Sequence, residues 1–288
     1  MSLDFSIESG VFGDRLVLKG VWHDELIDYM LSHKIVEINV NYARGFVGSN
    51  LDFLQSLPFL EGLDLLVYSI PDISVIHALH RLRSLRMACR DKTPLDFAQF
   101  PVLEECSLDW RSKSLSIFEC ATLKKLSLRQ YTAKDTELFR NLIELEELSL
   151  NGGPLNDLTG LRWQHKLRKL GLYRLPSLSS LQGIEELDKL EILNIDTCRK
   201  LISISEVENL SKLQRLQLTN CGDVDSLHPL EGLSQLEELY FYESTNILDG
   251  DISPLNNLPK LGTLSYKNRK HYSQAVEDFV PFNASSKS

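Results

Sequence analysis

The chain is predicted to be an α/β solenoid of about eleven coils. Each coil adds one strand to a parallel β-sheet on the concave face and returns along the convex face through 3₁₀, short helical or extended segments. Three observations predict it. The block L-x-x-L-x-L recurs as Leu190-Leu193-Ile195, Leu213-Leu216-Leu218 and Leu236-Leu239-Phe241, spaced by 23 residues, and a fixed period in the twenties marks a stacked repeat. Within each block the last apolar residues alternate with polar ones, the period of a strand with one buried face. Between blocks an apolar residue falls at every third position, as in Leu175, Leu178, Leu181, Ile184, Leu187 and Leu190; three residues per turn is the 3₁₀ period rather than the α-helical one.

Element by element, residues 4–20 read as a hairpin. Phe5-Ser6-Ile7 and Leu16-Val17-Leu18 flank a glycine-containing turn over Gly10–Asp14. Residues 23–33 read as a helix with Leu26, Ile27, Met30 and Leu31 on one face. Together, residues 1–34 are expected to cap the first coil, since a terminal coil would otherwise expose its leucines. Coils then follow over residues 35–269. They begin at Ile35, Leu60, Leu82, Leu103, Leu123, Leu145, Leu167, Leu190, Leu213, Leu236 and Leu261. Residues 270–288 are expected to cap the last coil, with Phe279 and Phe282 as plugs and Asn283–Ser288 as a disordered tail.

These eleven blocks closely resemble the leucine-rich repeat family, in its short, bacterial or internalin-like length class. The resemblance covers roughly four-fifths of the chain. It implies a right-handed solenoid that presents surfaces rather than enclosing chemistry. One departure stands out. The family's asparagine or cysteine, three residues after L-x-L, satisfies buried backbone groups. Here that column reads Ala43, Tyr68, Arg90, Arg111, Tyr131, Gly153, Leu175, Cys198, Cys221, Ser244 and Arg269. Only the two cysteine coils look orthodox.

Composition narrows the function. A net charge of −9 disfavours binding to nucleic acid or an anionic membrane, which asks for a basic face. No run approaches eighteen apolar residues, so no transmembrane helix is expected. Five cysteines show no C-x-x-C or zinc spacing. They read as buried thiols in a reducing compartment, which suggests a cytoplasmic protein.

No catalytic constellation is present, and no cofactor, metal or small-molecule substrate is expected. His77 and His80 lack the spacing and glutamate of a zinc helix, and Gly152-Gly153-Pro154 is not a phosphate loop. The acid pairs Glu104-Glu105, Glu146-Glu147 and Glu237-Glu238 recur at one repeat position. They read as a solvated face rather than an acid/base pair.

With each coil numbered from its first leucine, strand positions 3, 5 and 7 point away from the core. Ser107, Ser127, Ser149 and Gly171 at position 5 suggest a shallow trough of small residues. Arg86, Trp110, Arg129, Tyr173, Asp196, Tyr240 and Tyr242 stand in or beside these columns. They are the expected partner-binding residues, because tyrosine, tryptophan and arginine combine contact area with hydrogen bonding. The expected function is a non-enzymatic, monomeric protein-protein interaction module with a concave binding face. The alternatives are a regulatory or inhibitory subunit of an enzyme, or an extracellular adhesin or receptor fragment.

Overall fold

The structure is a computed structural model that describes residues 3–89 and 93–279. The expectations for Arg90, Phe282 and the Asn283–Ser288 tail lie outside the described residues. The chain divides into two compact units, Met1–Leu126 and Ser127–Ser288, and each is described by itself.

The first unit opens with strands β1 (Phe5–Ser9) and β2 (Asp14–Leu18), an antiparallel hairpin in which Phe5 faces Leu18. Helix α1 (Glu25–Ser32) follows. Its buried residues are Leu26 and Met30, one turn apart, whereas Leu31 is exposed and Ile27 half-buried. The expected four-residue apolar face is therefore narrower. Next come β3 (Glu37–Asn41), β4 (Gly62–Val67), β5 (Ser84–Cys89) and β6 (Glu105–Asp109). Strand β2 pairs parallel with β3, and the parallel ladder continues through β4 and β5 to β6.

The division between the units falls within β7 (Lys125–Arg129). The second unit continues with β8 (Glu147–Asn151), β9 (Lys169–Tyr173), β10 (Ile192–Asp196) and β11 (Arg215–Thr219). After these come β12 (Asp223–Val224), β13 (Glu238–Tyr242), β14 (Asn246–Ile247) and β15 (Thr263–Tyr266). From β8 the parallel ladder runs through β9, β10, β11 and β13 to β15, while β12 pairs only with β14. Most strands begin at position 3 of their coil and end at position 7, as the alternation requires. Leu148, Leu170, Leu193 and Leu216 face one another across successive strands and are fully or almost fully buried.

The returns explain the period of three. In one coil Leu161 donates its N–H to Leu158, Gln164 to Leu161 and Leu167 to Gln164, at 2.8, 2.8 and 2.9 Å. Each i→i+3 bond brings every third side chain to the same side, and all four of these residues are buried. Gln164 occupies a column that is otherwise leucine in the second unit; its amide donates to the Phe139 carbonyl at 2.9 Å.

The missing asparagine ladder has a replacement in the second unit. At position 8 the backbone turns left-handed, with φ of 60° at Gln130, 53° at Arg174 and 58° at Thr197. This conformation strains a residue with a Cβ. It aims each N–H at the next coil's last strand residue: Gln130 at Asn151, Arg174 at Asp196 and Thr197 at Thr219, over 2.7–2.8 Å. Just beyond, the Cys198 thiol donates to Leu172 O, the Cys221 thiol to Ile195 O, and the Thr245 hydroxyl to Leu218 O at 2.9 Å. At the end of β15, Tyr266 stacks on Phe241 at 4.6 Å and its hydroxyl donates to Gln274 O at 2.9 Å. Phe279, an expected plug, is half-buried.

Two outcomes are expected. Leu170→Ala should cost about 2–5 kcal/mol in denaturant unfolding, from lost burial and the cavity left behind; a cost near zero would sink the register. None of the five cysteines is in a disulfide, and burial pushes the Cys120 and Cys198 thiols up to about 11 and Cys221 to about 12. Alkylation at pH 8 should therefore be slow at these three in the folded protein, because little thiolate is present. It should reach five sites once the chain is unfolded without reductant. Fewer than five would reveal a disulfide.

Candidate interaction surface on the sheet face

Positions 3, 5 and 7 face outward as expected, but the first unit uses its outward face largely on itself. The hairpin turn folds against the start of the sheet. Phe12 N–H donates to the Glu37 carboxylate, and Arg15 donates to the same group from Nε and Nη2 at 3.1 and 2.8 Å. Glu37 is only 1% exposed, and Asn39 and Asp64 are buried with it. These positions are therefore not free surface. Asn39 Nδ2 donates to Asp64 at 2.9 Å, and Arg86 clamps the same carboxylate through Nε and Nη2. Arg86, an expected partner contact, is thus engaged within the chain although its side chain remains exposed. The Asp64 carboxylate beside it holds the Arg86 guanidinium above its ordinary pKa.

Along the start of these strands runs a row of alternating charge. Arg83 reaches Glu61 at 3.2 Å and Glu104 at 2.9 Å, and Lys124 reaches Glu104 at 2.8 Å. Lys125 pairs with Glu105 at 2.9 Å. The Arg83 guanidinium also lies 4.2 Å over the Phe12 ring. Glu104 and Glu105 are therefore partners of bases on adjacent coils, a pattern legible only after strands are aligned. Trp110 is half-buried, its ring 5.5 Å from Phe118 on the return of the same coil.

The second unit keeps a different face. Strand register puts Tyr173, Asp196, Thr219 and Tyr242 in one row at position 7 across β9, β10, β11 and β13. At about 4.8 Å per strand, the two tyrosine backbones stand roughly 14 Å apart. At position 5 the parallel row is Gly171, Asn194, Gln217 and Tyr240. Arg129 ends β7, half-buried.

The tyrosines are held rather than free. A Cβ built on Gly171 would lie 2.5 Å from Tyr173 Cε2. The Tyr173 ring therefore lies over Gly171 and fills the expected trough at that point. Tyr240 donates to Glu238 Oε2 at 2.9 Å, which raises its own pKa. Gln217 Nε2 donates to the Tyr242 hydroxyl at 3.2 Å and to Thr219 Oγ1 at 3.0 Å. Most charges here are paired: Lys169 with Glu147 at 3.7 Å, and Arg215 with Glu238 at 2.8 Å. The surface combines aromatic area, polar edges and fixed spacing. Among the described residues no cluster of His, Cys, Asp and Glu could hold a metal ion, and no helix is long and apolar enough to cross a membrane.

The chain matches no protein-family model, and no curated protein matches it. Solved structures match over most of its length. An internalin, InlF, from Listeria monocytogenes is 21% identical with a TM-score of 0.58, covering 92% of this chain and 86% of the internalin chain. A leucine-rich repeat protein of Leptospira interrogans is 20% identical with a TM-score of 0.65, covering 88% of this chain and 72% of that one. A plant peptide hormone receptor, RGFR1, solved in complex with RGF2, is 16% identical with a TM-score of 0.55. The match covers 90% of this chain but 40% of the receptor chain. At these identities the likeness establishes the leucine-rich-repeat fold.

The Glu37 site generates a prediction. Glu37→Ala strands Arg15 beside a buried void and should cost about 3–5 kcal/mol. Arg15→Met combined with Glu37→Leu should recover much of that loss. Equal losses in the single and double variants, measured by chemical denaturation, would show that the pair is not coupled.

Proposed function

We propose that the chain is a non-enzymatic protein-interaction module and that β9 to β13 of the second unit form its binding face. The row of Tyr173, Asp196 and Tyr242, with Tyr240 beside it, carries this reading. These side chains are anchored by their own sheet, so little ordering cost remains to be met on binding. Tyrosine gives large contact area with a polar tip, the composition of interface hot spots. The solved receptor with RGF2 bound shares this fold, which is consistent with a protein or peptide partner here. The same face would serve a regulatory subunit that covers an enzyme's active site. The five cysteines, none in a disulfide, fit a monomer working in a reducing, cytoplasmic setting.

The test is a displayed library of random twelve-residue peptides selected on the full chain. For the peptides recovered, Tyr173→Ala, Tyr240→Ala or Tyr242→Ala should weaken binding by about thirtyfold, equivalent to about 2 kcal/mol. Glu208→Lys, on an exposed return position, should leave binding unchanged. Binders indifferent to all three tyrosines but lost with Glu208→Lys would place the site on the return face instead.

A further inference from the structure

The second unit's sheet face leaves negative charge uncompensated at one place. Glu147 and Glu238 have basic partners on adjacent strands. Asp196, in the middle of the position-7 row, receives among the described residues only the Thr197 hydroxyl, at 2.6 Å on Oδ1, and no basic group. Two residues earlier on the same strand face, Asn194 Oδ1 is buried beyond a partner's reach and has no donor among the described residues, so its partial negative charge adds to that of Asp196. The nearest side-chain amide across the strands, Gln217, is already committed to Thr219 and Tyr242. Tyr173 is the register partner of Asp196 on the adjacent strand, and its ring lies back over Gly171.

A carboxylate lacking a cation and an adjacent aromatic ring share one complement. It is a cation with several N–H groups that can also pack on a ring. A guanidinium offers five N–H donors in a fixed plane and is attracted to the face of tyrosine. An anionic group would meet Asp196 with nothing to offset it.

We infer that the partner presents a basic side chain, an arginine above all, that docks on Asp196 beside Tyr173. This rests on the reading of β9 to β13 as the binding face, and it adds the chemistry of what binds there. The chain's net charge of −9 acts in the same direction, because an acidic protein draws basic partners and speeds their encounter at low salt. Asp196→Asn keeps the shape of the side chain and removes its charge, so the fold should be unaffected.

Peptides selected from the displayed library are synthesised with arginine and with its neutral isostere citrulline at each basic position, then titrated against wild-type protein and Asp196→Asn. The expected result is one basic position where citrulline costs tenfold or more against wild type and little against Asp196→Asn, the signature of a direct charged pair. Binding should also weaken as salt rises. Peptides that need the tyrosines yet tolerate citrulline everywhere, or bind Asp196→Asn as well as wild type, overturn the cationic docking while leaving the binding face intact. Failure to recover any tyrosine-dependent peptide overturns the face and the docking together.

Discussion

No coil of this chain completes its own core. The leucines of β9 are buried because those of β8 and β10 face them in register, Leu170 between Leu148 and Leu193. Side chains alternate along a strand, so a slip of one residue would turn every leucine to water and every outward residue inward. Register is therefore fixed by burial. The outward rows are consequences of it: Tyr173 stands beside Asp196 because Leu170 stands beside Leu193. The left-handed turn at position 8 reinforces this alignment, since the turned N–H of Gln130, Arg174 and Thr197 reaches the next coil's last strand carbonyl. A binding face assembled this way inherits the stiffness of the core behind it.

The two units use their outward columns differently. In the first, the hairpin turn buries Glu37, and the Arg15, Asp64 and Arg86 side chains satisfy one another. Such a network costs desolvation and is repaid mainly by hydrogen bonds inside it. Little is left for a partner. In the second, pairing consumes the charges at position 3 but leaves Asp196 without a basic partner among the described residues. A carboxylate without a cation next to aromatic area distinguishes a surface fit for recognition from one that is merely polar.

Much of the architecture was legible in the sequence because burial repeats. The L-x-x-L-x-L blocks located the strands to within a residue or two, and the period of three located the 3₁₀ returns. What the sequence hid was contact between coils. Arg86 looked like an exposed anchor, and nothing local revealed that Asp64, one coil earlier, would hold it. Gly171 looked like a gap, yet Tyr173 two residues on folds its ring back over it. The helix face read too wide at Leu31 because periodicity cannot say where a short helix meets its neighbour. The two cysteine coils were legible, but the loss of the asparagine column left no hint that threonine and a left-handed backbone would share its work.

Oxidative footprinting of the chain with a bound selected peptide tests the central claim most directly, since it reads side-chain cover at both faces in one experiment. Trp163 is 53% exposed on a return of the same unit and serves as the internal control. Tyr173, Tyr240 and Tyr242 should be protected, with no change at Trp163. Protection of Trp163 with the three tyrosines unchanged would contradict that claim.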